Sequence, residues 1–421
     1  MKEKIIGIII LILVVSFFIN VISKGEPGKN IDNNNDVKYD ETNNEIEVQL
    51  GTKDYVSLTS VPDGYVGIYS VDELLRIDIN PGLNYILMTD LDLSVFDDWS
   101  GLRNDAIFDG NGHTIYNLKS TQSGLFNISN TITNLSLENV EINLIKETVK
   151  EFGAISNYVK NSMSNCCSSG KISVSSLGDI QYSMGNIIEL GGLVGRTNGI
   201  ISDCTNNVVI DYDIFGRSVK CGGIVGSSSS SVITNCINFG SINVYSNYSD
   251  NYGFAVNGGI VGIVYGNFSI VDCLNYGAVY SRRVASGIVG EISNMHNESV
   301  SISNSKNFGE VCLKLSDKYS DEHSCAGIIG YAHESIIDID LCCNLGELNH
   351  NSLGNIGSII ANFRNTTLNI TNSIYVNNSD YNGIVVYIDG KGGLYPDSYN
   401  NKCISLNEAK EMFSEWNNKL E

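Results

Sequence analysis

Residues 221–236 read CGGIVGSSSSSVITNC, and the turn Gly222-Gly223-Ile224-Val225-Gly226 is of the kind whose backbone N–H groups cradle a phosphate. His333-Glu334 begins a zinc-protease pattern, but Ile337 stands where the second histidine belongs, so the motif fails. His113, His296, His323 and His350 lie apart, without metal-ligand spacing, and no cofactor is expected. Asp203 and Asp272 are candidates for the paired carboxylates of a carbohydrate lyase or hydrolase. Asp90 with Asp92, and Asp338 with Asp340, alternate as on strands but lack a third ligand for calcium. Arg282-Arg283 is a basic pair suited to an anionic glycan. Eleven cysteines are an odd number for a disulfide framework.

The glycine turn is decided by repetition. It recurs as Gly124-Leu125-Phe126, Gly153-Ala154-Ile155, Gly192-Leu193-Val194-Gly195, Gly223-Ile224-Val225-Gly226, Gly259-Ile260-Val261-Gly262, Gly287-Ile288-Val289-Gly290, Gly327-Ile328-Ile329-Gly330 and Gly357-Ser358-Ile359-Ile360. The leading glycines are 28–40 residues apart, and no helical pattern follows them. A phosphate loop occurs once or twice, ahead of a helix; a turn in every unit is architecture. A second block follows each turn, centred on Cys166, Cys204, Cys236, Cys273, Ser305, Cys342 and Ser373. An apolar residue stands three places before each centre, and an asparagine two places after it in Asn206, Asn238, Asn275, Asn307 and Asn344. A glycine four places after the centre recurs as Gly170, Gly240, Gly277, Gly309 and Gly346.

One such unit cannot bury its own apolar side, whereas stacked units can. Like stacks on like about 4.8 Å apart. Small cysteine and serine then suit an interior corner. The asparagine column is expected at a turn, in the left-handed conformation, with its amides bonded along the stack. These features predict an all-β, right-handed parallel β-helix of the pectin-lyase-like kind, its stack about 40–50 Å long from eight to ten coils. The cysteines of the column are expected reduced and buried, because their side chains run parallel rather than closing into a bridge.

"GGLVG", "GGIVG", "SGIVG" and "AGIIG", each followed downstream by an "NCxNxG"-like block, resemble the GLUG motif of bacterial surface proteins. The stretches "PDGYVGIYSVDELLRI", "NYILMTDLDLS" and "FDGNGHTIYNL" resemble the segment that precedes such repeats, and the resemblance covers roughly residues 62–376. It implies an exported, right-handed β-helical protein, adhesin-like or of unassigned role. Some IgA-cleaving metalloproteases carry a similar region outside their catalytic domain.

The elements that must position these residues parse as follows. Residues 5–22 are apolar except for Ser16 and Asn20 and follow Lys2 and Lys4, so 1–24 is expected to be a signal peptide or membrane anchor that sends the rest outward. Residues 25–44 read as a flexible linker, 45–395 as the β-helix and 396–421 as a C-terminal helix. Ser70 with Glu73 caps a short helix ahead of Leu74, Leu75 and Ile77, and Ser405 with Glu408 opens the tail helix. The formal net charge of −21 argues against nucleic acid and anionic lipid as partners. Membrane contact is expected only through the N-terminal segment; oligomeric state is not readable.

The longest insertions, within 176–189, 245–256 and 315–324, fall in the same connection of successive units. Their Tyr, Ser, Asn and Asp suit polar recognition. Tyr245, Tyr248, Tyr252, Arg282 and Arg283 are therefore the candidate binding residues, for a glycan or a host or cell-surface protein. The function expected is an exported adhesin-like or structural surface protein, with a carbohydrate-active enzyme on the same fold as the alternative.

Overall fold

The computed structural model describes residues 37–40, 45–48, 56–144, 150–175, 187–213, 218–244, 255–314, 323–350, 355–376, 385–388 and 402–404. The chain forms two units, residues 1–49 with 420–421, and residues 50–419. In the first, Val37–Asp40, within the segment read as a linker, pairs antiparallel with Glu45–Val48. The expected N-terminal anchor lies outside the described residues; of the segment 396–421 expected as a helix only Lys402–Ile404 is described, and it is a strand paired in parallel with Ile374–Val376.

The second unit is a parallel β-helix. One coil shows the rule. Ser218–Gly222 forms the first face; Val225–Ser229 and Val232–Thr234 form the second; Ile237–Asn238 and Ile242–Val244 form the third. Each strand pairs in parallel with its equivalent one repeat later, as in Gly222 with Gly258, Val225 with Val261, Ile233 with Ile270 and Asn238 with Asn275. Among the described residues the first face is a seven-stranded sheet and the other two have sixteen strands each.

Register corrects the repeat boundaries at two places. Gly153 pairs with Gly191, and Gly357 with Ala326, so both stand one column before the leading glycines. Ala154 and Ser358 occupy the leading position itself. The sequence pattern alone could not separate two adjacent glycine columns.

The core is built of stacked columns. Ile224, Ile260, Ile288 and Ile328 lie at one corner, fully buried, with Val225, Val261, Val289 and Ile329 beside them. Each such side chain contributes roughly 1.5–3 kcal/mol, but only when a neighbouring coil covers it. The cysteine column is as expected. Cys166, Cys204, Cys236, Cys273 and Cys342 are buried free thiols. Cys236 Sγ lies 3.3 Å from the carbonyl of Thr234, and Ser305 Oγ donates to the equivalent carbonyl of Ser303 at 2.9 Å. One small donor therefore replaces another. Burial pushes the thiols of Cys204, Cys273 and Cys342 up, Cys342 to about 12.

The asparagine column forms the expected ladder, with each amide donating to the next side-chain oxygen at 2.8 Å from Asn206 through Asn238, Asn275 and Asn307 to Asn344. It is not the left-handed turn, however. These residues are extended and point inward, against a glycine column: a β-carbon on Gly259 would lie 2.3 Å from the Asn275 amide carbon. That contact explains why the leading position is so often glycine. The left-handed conformation belongs instead to the column just before the cysteines, where Asn165, Asp203, Asn235, Asp272 and Asn304 have φ of 46–56°. There the chain turns from the second face to the third with the side chain outward.

At the N-terminal side Ser70 caps the helix Val71–Leu74, its Oγ accepting from the Glu73 N–H at 3.3 Å. A 3₁₀ turn, Leu75–Asp78, continues it, and Leu74 and Ile77 are buried while Leu75 is exposed. The three apolar residues read there thus divide two in, one out.

Candidate functional site

The sequence candidates do not converge. Tyr245, Tyr248 and Tyr252 lie outside the described residues. Arg282 and Arg283 form the bend between Val279–Ser281 and Val284–Ser286, and both are half-buried. The Arg283 carbonyl accepts from the Ser324 N–H of the next coil at 2.8 Å, so the backbone of this bend is part of the stack. The three insertions do attach along one edge, each between a third-face strand and the next first-face strand.

The acidic candidates serve the turns. Asn235 donates to Asp203, and Asn304 to Asp272, along the outer left-handed column. Asp203 and Asp272 sit two coils apart, roughly 9–10 Å at strand spacing. Asp90 accepts from the Thr114 N–H and holds His113 Nδ1 at 3.0 Å; Asp92 accepts from Asn117. Asp338 accepts from Asn369, and Asp340 from Thr371 and Asn372. His333 Nε2 lies 3.8 Å from Glu334, and no metal-ligating cluster occurs among the described residues.

Titratable residues converge elsewhere, in the re-entrant elbow between the first and second faces. The two backbones meet closely there: a β-carbon on Gly226 would lie 2.7 Å from the Leu190 backbone, and one on Gly262 the same distance from Cys221. The outward residues on either side of this glycine column must therefore face each other. On the first face these are Glu151, Glu189, Lys220, Val256 and Val284, in successive register. On the second they are Tyr158, Arg196, Ser227, Ile263 and Glu291.

The middle of the elbow is sealed by Val256 and Ile263, 0% and 1% exposed. Over them Lys220 Nζ reaches Glu291 Oε2 at 3.0 Å, with side chains 10% and 14% exposed. Truncating one partner of so buried a pair strands a charge. At the other end Arg196 Nη1 lies 3.9 Å from Glu151 Oε1, in a more open setting. Glu189, between the two pairs, has no cation of its own. Burial raises its carboxyl above the ordinary value, with Arg196 only partly offsetting this. Tyr265 lies near Glu291 and Glu189, and burial first, then these carboxylates, pushes its phenol to about 12.

Three polar atoms here are buried without a hydrogen-bond partner: Glu189 Oε2, Arg196 Nε and Ser227 Oγ. Buried polar groups are nearly always satisfied, and exceptions concentrate where a ligand or water completes the set. The elbow therefore holds unsatisfied donors and acceptors that a water or a polar molecule would complete. The signal in the sequence was two columns, three residues before and four after the leading glycine. They carry charge in the early repeats and aliphatics in the middle, and a search guided by apolar columns passes over them.

No family profile and no curated protein matches this chain. Among solved structures it is similar to "IgA1 Protease", with a TM-score of 0.43 and 16% identity over 82% of this chain and 24% of that one. It is also similar to a Bacteroides ovatus protein classed as an immunoglobulin A1 protease, with a TM-score of 0.34 and 14% identity over 84% of this chain and 87% of that one. The chain thus spans about a quarter of the length of the first.

Proposed function

We propose that this protein is an exported, surface-held β-helix that recognises a glycan, and that the elbow is its recognition site. The export reading rests on the apolar run 5–22 behind two lysines and on the GLUG-like repeats. The recognition reading rests on one observation, the three unpartnered polar atoms of Glu189, Arg196 and Ser227 gathered on two adjacent coils. Such a group of unpartnered donors and acceptors, with Tyr265 near Glu189 and Arg196, suits a molecule with a hydroxyl rim and an apolar face.

A second reading, a carbohydrate-active enzyme, is favoured by the half-buried Glu189 lying in register with a second carboxylate, Glu151, with Glu291 further along the elbow. Both are engaged by cations, Glu151 by Arg196 and Glu291 by Lys220, which suits a fixed binding surface better than a free base.

Probing the full-length chain on a glycan array, with Arg196→Ala and Ser227→Val beside it, tests the site. Loss of the bound glycan in both variants is expected. Undiminished binding in both removes the elbow from the reading, and release of reducing ends from the bound glycan favours the enzyme.

A further inference from the structure

The recognition reading leaves the charge of the ligand open, and the elbow's own charges constrain it. Five ionisable groups other than phenols face one another there: Glu151, Glu189 and Lys220 from the first face, Arg196 and Glu291 from the second. Four are matched, Arg196 to Glu151 at 3.9 Å and Lys220 to Glu291 at 3.0 Å. Glu189 is the odd one. Its register neighbours are Glu151 on one coil and Lys220 on the next, and Lys220 is committed to Glu291.

On the opposite wall Glu189 meets Ser227, 1% exposed, whose hydroxyl faces it without reaching hydrogen-bond geometry. Tyr265 approaches from the next coil, its phenol neutral over the physiological range. A carboxylate in this place would be a half-buried charge whose nearby cations, Arg196 and Lys220, are each engaged by another carboxylate. A carboxylic acid would leave the elbow electrically balanced and would add an O–H donor.

We infer that the elbow takes an uncharged, hydroxyl-bearing saccharide, with Glu189 protonated and donating its O–H to an acceptor oxygen of that ligand. This deepens the recognition reading and rests on it. Arg196 Nε supplies a second donor and Ser227 Oγ both donates and accepts, so a pair of neighbouring hydroxyls is satisfied from one wall and a ring or bridging oxygen from the other. An anionic sugar would meet Glu151 and Glu291 without a free cation, since both basic groups are engaged. A cationic ligand would instead pair with an ionised Glu189, which gives the inference its rival. Burial raises the Glu189 carboxyl above its ordinary value.

The test uses the full-length chain and a neutral oligosaccharide drawn from the array, measured by calorimetry from about pH 5 to about pH 9. Affinity is expected to fall about tenfold as Glu189 ionises, the size of one lost hydrogen bond. Glu189→Gln keeps a neutral donor of nearly the same shape, so it is expected to bind at the low-pH level throughout and to lose the pH dependence. Infrared difference spectra without ligand give an independent readout: a protonated-carboxyl band present in the wild type and absent from Glu189→Gln. A missing band, or affinity that rises with pH, overturns the inference while leaving the elbow as a site for a cationic ligand. Binding lost in Ser227→Val but indifferent to pH, with Glu189→Gln unchanged, keeps the site and overturns the proton. No neutral glycan bound at any pH overturns the recognition reading together with it.

Discussion

Asn238→Leu separates a ladder from an ordinary turn. Asn238 is fully buried and makes four hydrogen bonds. It accepts from Asn206 at 2.8 Å, donates to Asn275 at 2.8 Å, donates to the Gly240 carbonyl at 2.9 Å and accepts from the Gly240 N–H at 3.2 Å. Leucine has similar volume and none of these groups. It strands the Gly240 N–H and the Asn275 side-chain oxygen, and leaves the Asn206 amide N–H only a 3.4 Å contact with the Val208 carbonyl. Two to three stranded groups at about 1–3 kcal/mol each give a loss of about 2–9 kcal/mol. The branched tip must also fit where a Gly223 β-carbon would lie 2.4 Å from the Asn238 amide, so relaxation brings little relief. Because a solenoid couples only neighbours, the loss should appear first around coils 206, 238 and 275. Urea titration read by hydrogen exchange over those peptides measures it. Asn369→Leu is the control: exposed, with one 3.2 Å bond to Asp338, it should cost less than about 0.5 kcal/mol. Equal losses at the two positions, or a loss at Asn238 below about 1 kcal/mol, would refute the ladder as a source of stability.

Gly259→Ala should cost about 1–3 kcal/mol or block folding, because its β-carbon would lie 2.2 Å from the Gly287 carbonyl oxygen; Gly82→Ala, with nothing within 4 Å, should be neutral by thermal melting. Cys236→Ser should cost under about 1.5 kcal/mol, since Ser305 already fills an equivalent place, whereas Cys236→Leu should prevent stacking. Alkylation followed by mass spectrometry should leave Cys204, Cys236 and Cys273 unlabelled in the native protein and labelled once unfolded, without reductant; linked peptides among them contradict the free-thiol column. Glu189 has a raised folded value, so the native state holds its proton more tightly than the unfolded chain. Its contribution is present below the unfolded carboxyl value of 4.5 and is lost as pH rises through the folded one. The melting temperature of Glu189→Gln should therefore gain on the wild type as pH rises, and parallel pH profiles would show that Glu189 ionises as an ordinary surface carboxyl.

Much of the architecture was written in one dimension, because a solenoid repeats its contacts at each turn of the chain. Ile224 and Ile260, Cys236 and Cys273, Asn238 and Asn275 are columns in the sequence before they are columns in space, and period alone pairs them. The failure of the phosphate-loop and zinc patterns followed from the same repetition and from Ile337. What the sequence could not decide was which way a column faces. The left-handed turn fell to Asn165, Asp203 and Asn235 rather than to Asn206 and Asn238, because only the fold shows which asparagine is pressed against a glycine and which turns toward solvent. The adjacent glycines at Gly153 and Gly191 were likewise resolved by register. The elbow lay furthest from the sequence pattern. Glu189 and Ser227 are far apart in the chain and in different faces, and Lys220 and Glu291 are separated by 71 residues. Their meeting depends on the angle at which two sheets fold back on each other, which is set by backbone contact at Gly226 and Gly262 and not by any local preference of the residues that meet there.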